Sequence, residues 1–456
     1  MAQLLSLIGN TPILELTKFD TGSCRLFIKL ESQNPGGSIK DRIALSMIAS
    51  AEKQGLLKPG GLIVEATAGN TGIGLALVAK LKGYRMALVI PDKMSREKIE
   101  YLKALGAEII ITRSDVPKGH PEYYQDLAEK IANERNGYYV NQFGNPANPL
   151  AHETSTGPEI WEQMNHDIDA IVVGVGSSGT MTGLTKYFQK VAPHVEIILA
   201  DPKGSILAEY VKTGVVSSDV GSWLVEGIGE DFIPSIADFS MTKKAYTVSD
   251  RESFEKAREL LTLEGVFAGS SSGTLLAAAL KYCQEQTSPK KVLTFACDTG
   301  SRYLSKMFNN IWMQDLGFLG KAGHHDLRDL ISRKHEEGST VFVSPEDTLH
   351  TAYARMKLND VSQLPVLSQD AVVGLIDESD ILYKVYEKTA RFESQVKEVM
   401  NTQLVKLSPR SSVEELMKIF KQGFVAIIES ETDHKFLGII TQIDLLNALR
   451  KSGSGV

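Results

Sequence analysis

The sequence predicts an α/β chain whose parallel sheets are covered by helices on both faces, followed by a separate, internally repeated module. From about residue 25 to 305, short β-branched runs alternate with longer helical patterns. Such alternation predicts parallel sheets with ligands bound beyond the carboxyl ends of the strands. After Trp312 it stops, and residues 314–337 turn polar and charged around Gly317, Gly320 and Gly323, which reads as a linker. Beyond the linker lies a repeat. Phe342-Val343-Ser344-Pro345 is answered by Lys406-Leu407-Ser408-Pro409, and Gly374-Leu375-Ile376-Asp377 by Gly438-Ile439-Ile440-Thr441, each pair 64 residues apart. Asp380-Ile381-Leu382 likewise matches Asp444-Leu445-Leu446. Two such copies predict two βαβ-like units around a pseudo-twofold axis. The expected organisation is residues 1–313, a linker over 314–337, and repeats over 338–395 and 396–456.

Each element has its own signal. Leu62-Ile63-Val64 reads as a buried strand, followed by a glycine-punctuated loop and a helix from Leu75 to Leu81 closed by Gly83. Met86 to Ile90 is the next strand, stopped by Pro91. Ser95 to Leu105 reads as a helix ending at Gly106, and Glu108 to Ile111 as a strand. Ala170 to Val173, Val195 to Ala200 and Val292 to Ala296 repeat the strand pattern with helical stretches between.

Composition narrows the function classes. The 456 residues suggest about three domains. An apolar share of 43% with 23% charged residues argues against a largely disordered chain. Lys plus Arg number 49 against 56 Asp plus Glu, a formal charge of −7 without a basic tract, so a nucleic-acid partner is not expected. Cys24, Cys283 and Cys297 are widely spaced and odd in number, which makes neither a disulfide framework nor a zinc pattern. His324-His325 lies in the polar stretch and is expected to be solvated, so no metal site is expected. No apolar run reaches the ~20 residues of a bilayer span. The start lacks a basic leader region, and Gly9-Asn10-Thr11-Pro12 interrupts its apolar stretch. The expectation is a reduced cytoplasmic protein without a membrane partner.

Three segments at strand-to-helix loops carry the chemistry. In the first, Ser32 to Arg42, the spacing of Ile39, Ile43, Met47, Ile48 and Ala51 puts Lys40 in the first turn of a helix. The helix dipole disfavours a cation there unless it is neutral or covalently used, and a neutral lysine is a nucleophile; taken alone, the segment reads more simply as a solvated helix lysine. The second runs from Glu65 to Gly74; its small residues admit a ligand to the backbone, while Thr67, Asn70 and Thr71 offer hydroxyl and amide donors for a carboxylate. A plain tight turn fits this segment as well. The third is Gly174-Val175-Gly176-Ser177-Ser178-Gly179-Thr180, a phosphate cradle of backbone N–H groups and hydroxyls. It also satisfies G-x-G-x-x-G, with Asp201 at about the spacing of a ribose-binding acid, so an NAD(P)-dependent oxidoreductase is the rival from another class.

Taken together, the segments resemble the pyridoxal-phosphate (PLP) enzymes of the tryptophan synthase β fold, in the β-replacing branch of cysteine synthases and cystathionine β-synthases. The resemblance runs from Ile8-Gly9-Asn10-Thr11-Pro12 through Asn145-Pro146-Ala147-Asn148-Pro149 to Gly269-Ser270-Ser271-Ser272-Gly273. Val225-Glu226-Gly227-Ile228-Gly229-Glu230-Asp231-Phe232 and Asn148-Pro149-Leu150-Ala151-His152 are similar to the cystathionine β-synthase side of that branch, as is the linker entrance Trp312-Met313. The repeat resembles tandem CBS domains, and Thr441-x-x-Asp444 their ribose-binding motif. The implied fold is a fold-type II PLP enzyme of two parallel-sheet αβα subdomains plus a tandem CBS module.

The resemblance implies roles as well. Lys40 would be joined to the cofactor and would later shuttle the Cα proton. Asn70 would bond the phenolic oxygen, the loop Gly174, Gly176, Ser177, Ser178, Gly179 and Thr180 would hold the phosphate, and Ser271 would face the pyridine nitrogen. Thr67, Gly69, Thr71 and Gln142 would receive the substrate carboxylate. The implied reaction joins L-serine to L-homocysteine; cysteine synthesis from O-acetylserine and sulfide is the rival on the same fold. Three departures stand out. Ser177-Ser178 replaces an expected Thr-Gly, Ala68 replaces a carboxylate-binding serine, and Asp377 stands where the second repeat has Thr441. No Cys/His extension precedes the fold, so haem is not expected. Thr441 and Asp444 imply an adenosyl ligand (S-adenosylmethionine, AMP or ATP) at the repeats, and the family implies a homodimer, with higher oligomers through the repeats left open.

Overall fold

A computed structural model describes residues 4–67, 69–92, 96–113, 115–116, 119–320, 323–324, 326–386 and 388–453. The chain divides into two compact units, Met1–Phe308 and Asn309–Val456.

The first unit holds two sheets. One has the order β5-β4-β3-β6, all parallel: β3 (Leu62–Ala66), β4 (Arg85–Pro91), β5 (Glu108–Thr112) and β6 (Tyr138–Tyr139). The other has the order β1-β2-β10-β7-β8-β9: β1 (Ile13–Leu16), β2 (Arg25–Lys29), β7 (Ala170–Gly174), β8 (Glu196–Pro202), β9 (Thr242–Val248) and β10 (Lys291–Phe295). Only β1 runs antiparallel. All five residues of β3 are buried, as are the last six of β4. Burial on both faces is why the strands read as unbroken apolar runs.

The expected helix after β3 begins five residues early. It spans Asn70–Lys82, and Thr71 to Ala79 are all buried. Gly72 and Gly74 read as loop because glycine costs about 1 kcal/mol in a helix. Packing all round the helix outweighs that cost. A Cβ at Gly74 would lie 3.0 Å from the Lys40 carbonyl oxygen and 3.1 Å from Ala44 Cβ, so the helices Asn70–Lys82 and Lys40–Lys53 cross in close contact. Gly83 closes the helix at φ +78°, the left-handed cap its position requires.

The second unit contains the antiparallel pair β11 (Gln363–Ser368) and β12 (Ala371–Asp377) and the sheet β13-β14-β15: β13 (Lys406–Leu407), β14 (Ala426–Glu429) and β15 (Phe436–Ile440). Each repeat has its own apolar core. Leu367 and Val372 of the first join Ile427 and Phe436 of the second in a further buried cluster. The stretch expected as linker differs from a solvated tether. Leu327 and Ile331 are buried against Leu416, Ile419 and Phe420, two apolar anchors inside a polar run whose mean composition hides them. His324 donates its backbone N–H to Asp329 Oδ1 at 2.9 Å; His325 lies outside the described residues. Among the described residues no helix is long and apolar enough to cross a membrane, and no His/Cys/Asp/Glu group is arranged to hold a metal ion.

Candidate active site

Lys40 opens the helix Lys40–Lys53, as its spacing predicts. The turn before it is tied to the segment after β10. Ile39 donates its N–H to the Cys297 carbonyl at 2.9 Å, and Ser38 bridges Asp298. Burial lowers the Lys40 pKa, against the opposing charges of Cys297, Glu230 and Asp298. The first effect prevails, which favours the neutral amine. Beside it, Asp41 accepts the Gly36 N–H at 2.5 Å, and burial raises its pKa to about 7.

Asn70 and Thr71 form the first turn of the next helix. Thr71 Oγ1 donates to Gln142 Oε1 at 2.8 Å, and Gly69 donates its N–H to Thr67 Oγ1 at 3.3 Å. Thr67, Thr71 and Gln142 are buried together at the ends of β3 and β6. Ala68 lies outside the described residues. The Asn70 amide is held at both ends: Nδ2 donates to Asp298 Oδ2 at 2.7 Å, and Oδ1 accepts from Arg302 Nη1 at 2.5 Å.

The glycine loop leaves β7 and enters the 13-residue helix Gly179–Val191. A Cβ at Gly176 would lie 2.6 Å from the Gly227 carbonyl, and one at Gly179 only 1.7 Å from Asn148 Oδ1. Both positions admit only hydrogen. Asn148 Nδ2 donates to Ser177 Oγ at 3.0 Å, Ser178 Oγ pairs with Thr182 Oγ1 at 3.2 Å, and Thr180 Oγ1 pairs with His152 Nε2 at 3.2 Å. His152 is buried; burial first, then Arg42 and Lys40, holds its pKa well below the ordinary range, so it is a neutral partner. Asn148 Oδ1 has no partner although it is buried. A close backbone cradle at a helix N-terminus, lined by hydroxyls, fits a phosphate.

Ser271 stands buried in the first turn of the helix Ser270–Gln284, beside Cys297, whose N–H donates to the neighbouring Ser272 Oγ at 2.9 Å. Burial pushes the Cys297 thiol up to about 12. Cys297 lies within electrostatic reach of Lys40, as does His152, which touches Thr180. Cys297 thus links Lys40 to Ser271 and His152 links Lys40 to the glycine loop, and an amine, a hydroxyl and a cradle of backbone N–H groups are a set that fits pyridoxal phosphate.

Several residues that no sequence pattern marks for a role lie beside these groups. Lys98, 3% exposed, pairs with Glu226 at 2.5 Å, and Lys306 pairs with the same carboxylate at 2.7 Å. Tyr303 donates to Asp298 Oδ2 at 2.8 Å. Glu226 and Asn148 fell inside the motifs that carried the resemblance; Asp298, Arg302, Tyr303 and Lys98 had no signal in spacing or periodicity. Asp201, the acid of the dinucleotide reading, is fully buried and accepts the Ala208 N–H at 2.8 Å, so it caps a helix where that reading needs it on a ribose.

In the second unit Thr441 donates to Asp444 Oδ2 from its N–H at 2.7 Å and from Oγ1 at 2.5 Å, and Ser332 donates to Asp444 Oδ1. The first repeat shares the N–H bond to the acid three residues on, and there Asp377 also accepts the Asp380 N–H, which completes a capping box. Thr441-x-x-Asp444 thus already serves to start a helix.

Comparison with known proteins agrees with this geometry. The family described as pyridoxal-phosphate dependent enzyme matches residues 4–298, and CBS domains match residues 328–387 and 396–451. A protein of Apis mellifera named cystathionine beta-synthase is 36% identical over 100% of this chain and 92% of its own length. Cysteine synthase 1 of Neurospora crassa is 39% identical but covers 71% of this chain and 87% of its own. The crystal structure of O-ureido-L-serine synthase superposes with a TM-score of 0.63 at 32% identity, covering 68% of this chain and 95% of that one. With the family's pattern running over residues 4–298, through the lysine segment, the asparagine loop and the glycine loop alike, the chain belongs to the pyridoxal-phosphate dependent enzymes and carries tandem CBS domains behind that enzyme region.

Proposed function

We propose that this chain is a β-replacing lyase that condenses L-serine with L-homocysteine to give L-cystathionine and water. The observation that carries the reading is the full-length similarity to a protein named cystathionine beta-synthase, tandem repeats included, where the likeness to cysteine synthase 1 covers only 71% of the chain. Bound pyridoxal phosphate supplies an aldehyde for the substrate amine and a ring that acidifies the Cα–H bond. The chain's own groups do the rest. The neutral Lys40 Nζ, which also holds the cofactor at rest, takes the proton from Cα. Thr67, Gly69, Thr71 and Gln142 orient the substrate carboxylate. Gly174, Gly176, Ser177, Ser178, Gly179 and Thr180 grip the phosphate. Ser271 faces the ring nitrogen with a neutral hydroxyl, which withdraws less charge than an acid would and so favours loss of the β-substituent over transamination. The Cβ–O bond would break with the proton taken from Cα leaving on the hydroxyl as water, and the Cβ–S bond would form as the homocysteine thiol adds, its proton returning to Cα by way of Lys40. Turnover with each pairing of serine or O-acetylserine with homocysteine or sulfide tests the assignment: serine with homocysteine is expected to be fastest, and a preference for sulfide overturns it.

The CBS domains support a regulatory reading, with an adenosyl ligand at Thr441 and Asp444. Binding there requires the Asp444 carboxylate to exchange Thr441 for ribose hydroxyls. Titration calorimetry is expected to give saturable heat with one of S-adenosylmethionine, AMP or ATP, and that heat is expected to fall on Asp444→Ala. A homodimer in the cytoplasm is the assembly and place that the family reading favours.

A further inference from the structure

We propose that Asp298, together with Arg302, is a positioning residue that fixes which edge of the Asn70 amide faces the cofactor. The inference rests on the cofactor reading of this pocket. An asparagine amide has a donating end and an accepting end, and nothing in its shape distinguishes them. Here the surroundings do. Asn70 Nδ2 donates to Asp298 Oδ2 at 2.7 Å, while Asn70 Oδ1 accepts from Arg302 Nη1 at 2.5 Å. A guanidinium only donates and a carboxylate only accepts, so a flipped amide would set donor against donor and acceptor against acceptor.

Both partners are themselves fixed. Asp298 is fully buried, receives the Tyr303 hydroxyl at 2.8 Å on the same oxygen and bridges Ser38 through its backbone. Its other oxygen lies against Gly269, where a Cβ would come within 2.0 Å. Arg302, 5% exposed, also donates to the Gly36 carbonyl in the turn that precedes Lys40. With one Nδ2 hydrogen taken by Asp298, the second remains to donate. A donor aimed at the cofactor's phenolic oxygen favours the ionised, visibly absorbing form of the ring; an acceptor there would oppose it.

The test is the absorption spectrum of full-length protein saturated with pyridoxal phosphate, read as the ratio of the visible band to the near-ultraviolet band. Asn70→Ala and Asp298→Ala are each expected to lower that ratio about tenfold, the factor commanded by a lost hydrogen bond to a charged group. The double variant is expected to fall no further than either single one. Asp298→Asn, which keeps an oxygen acceptor, is expected to stay within about twofold of the parent. Should Asp298→Ala fail to fold, Arg302→Lys, which keeps the charge without the planar fork, is expected to show the same loss and the same lack of additivity. An unchanged ratio in Asp298→Ala overturns the proposal, as does a loss from Asp298→Ala that is equally large whether Asn70 is present or already replaced. A parent protein with no visible band at saturating cofactor overturns the cofactor reading itself.

Discussion

Lys40→Ala is expected to lower turnover of serine with homocysteine by at least about 10³-fold, within the range that positioned proton transfer contributes. Lys40 starts a helix, where partial positive charge from unpaired N–H groups opposes a second positive charge, and burial lowers its pKa further. Both effects favour the neutral amine, the form that the proposed proton transfer needs, and the charges of Cys297 and Asp298 only partly oppose them. Fold is expected to survive, because neither the Lys40 backbone N–H bond to Ser38 Oγ at 3.2 Å nor the Ile39 bond to Cys297 needs the side chain. Steady-state assay checks the loss. Borohydride reduction of the loaded parent followed by peptide mapping is expected to label position 40.

Two residues along, Arg42→Ala is expected to destabilise the first unit by about 3–5 kcal/mol, the cost of stranding a buried charge. Arg42 is 3% exposed and bonds two carboxylates with a fork each: Glu31 at 2.8 and 2.8 Å, and Glu159 at 2.7 and 2.7 Å. Glu31 is fully buried, and only the hydroxyl of Thr11 and the amide of Asn34 would remain on its side chain. Denaturant midpoints measure the loss. The acid limb carries a second reading. Burial alone would raise the Glu159 pKa, but Arg42, the Asn10 backbone and Lys29 bring it down from 4.5 to about 2. A depressed carboxyl contributes stability that is complete above its unfolded value and is lost as pH falls through its folded one. The parent is therefore expected to lose stability between pH 4.5 and about 2, and Arg42→Ala to show a much shallower slope there.

Much of this was legible in the sequence. The strands were visible because two-sided burial demands unbroken apolar runs, and Lys40 was placed correctly because Ile43, Met47, Ile48 and Ala51 keep a helical period behind it. The start of the helix at Asn70 was hidden by Gly72 and Gly74, whose small size serves a helix crossing, whereas a sequence pattern reads them as a turn. Asp298 and Arg302 were hidden by topology. They lie 228 and 232 residues from Asn70, which follows a strand of the other sheet, so the meeting depends on how the ends of two sheets come together and no local pattern encodes it. Thr441-x-x-Asp444 was legible as a motif but not as a helix-start contact, since both uses ask for the same two side chains at the same spacing.

The burial of Leu327 and Ile331 against Leu416, Ile419 and Phe420 sets where the repeat pair can be cut free. A fragment opened at residue 338, the expected start of the first repeat, would strip an apolar stripe bare and leave it prone to self-association. Opened ahead of Leu327, the same fragment carries its own cover.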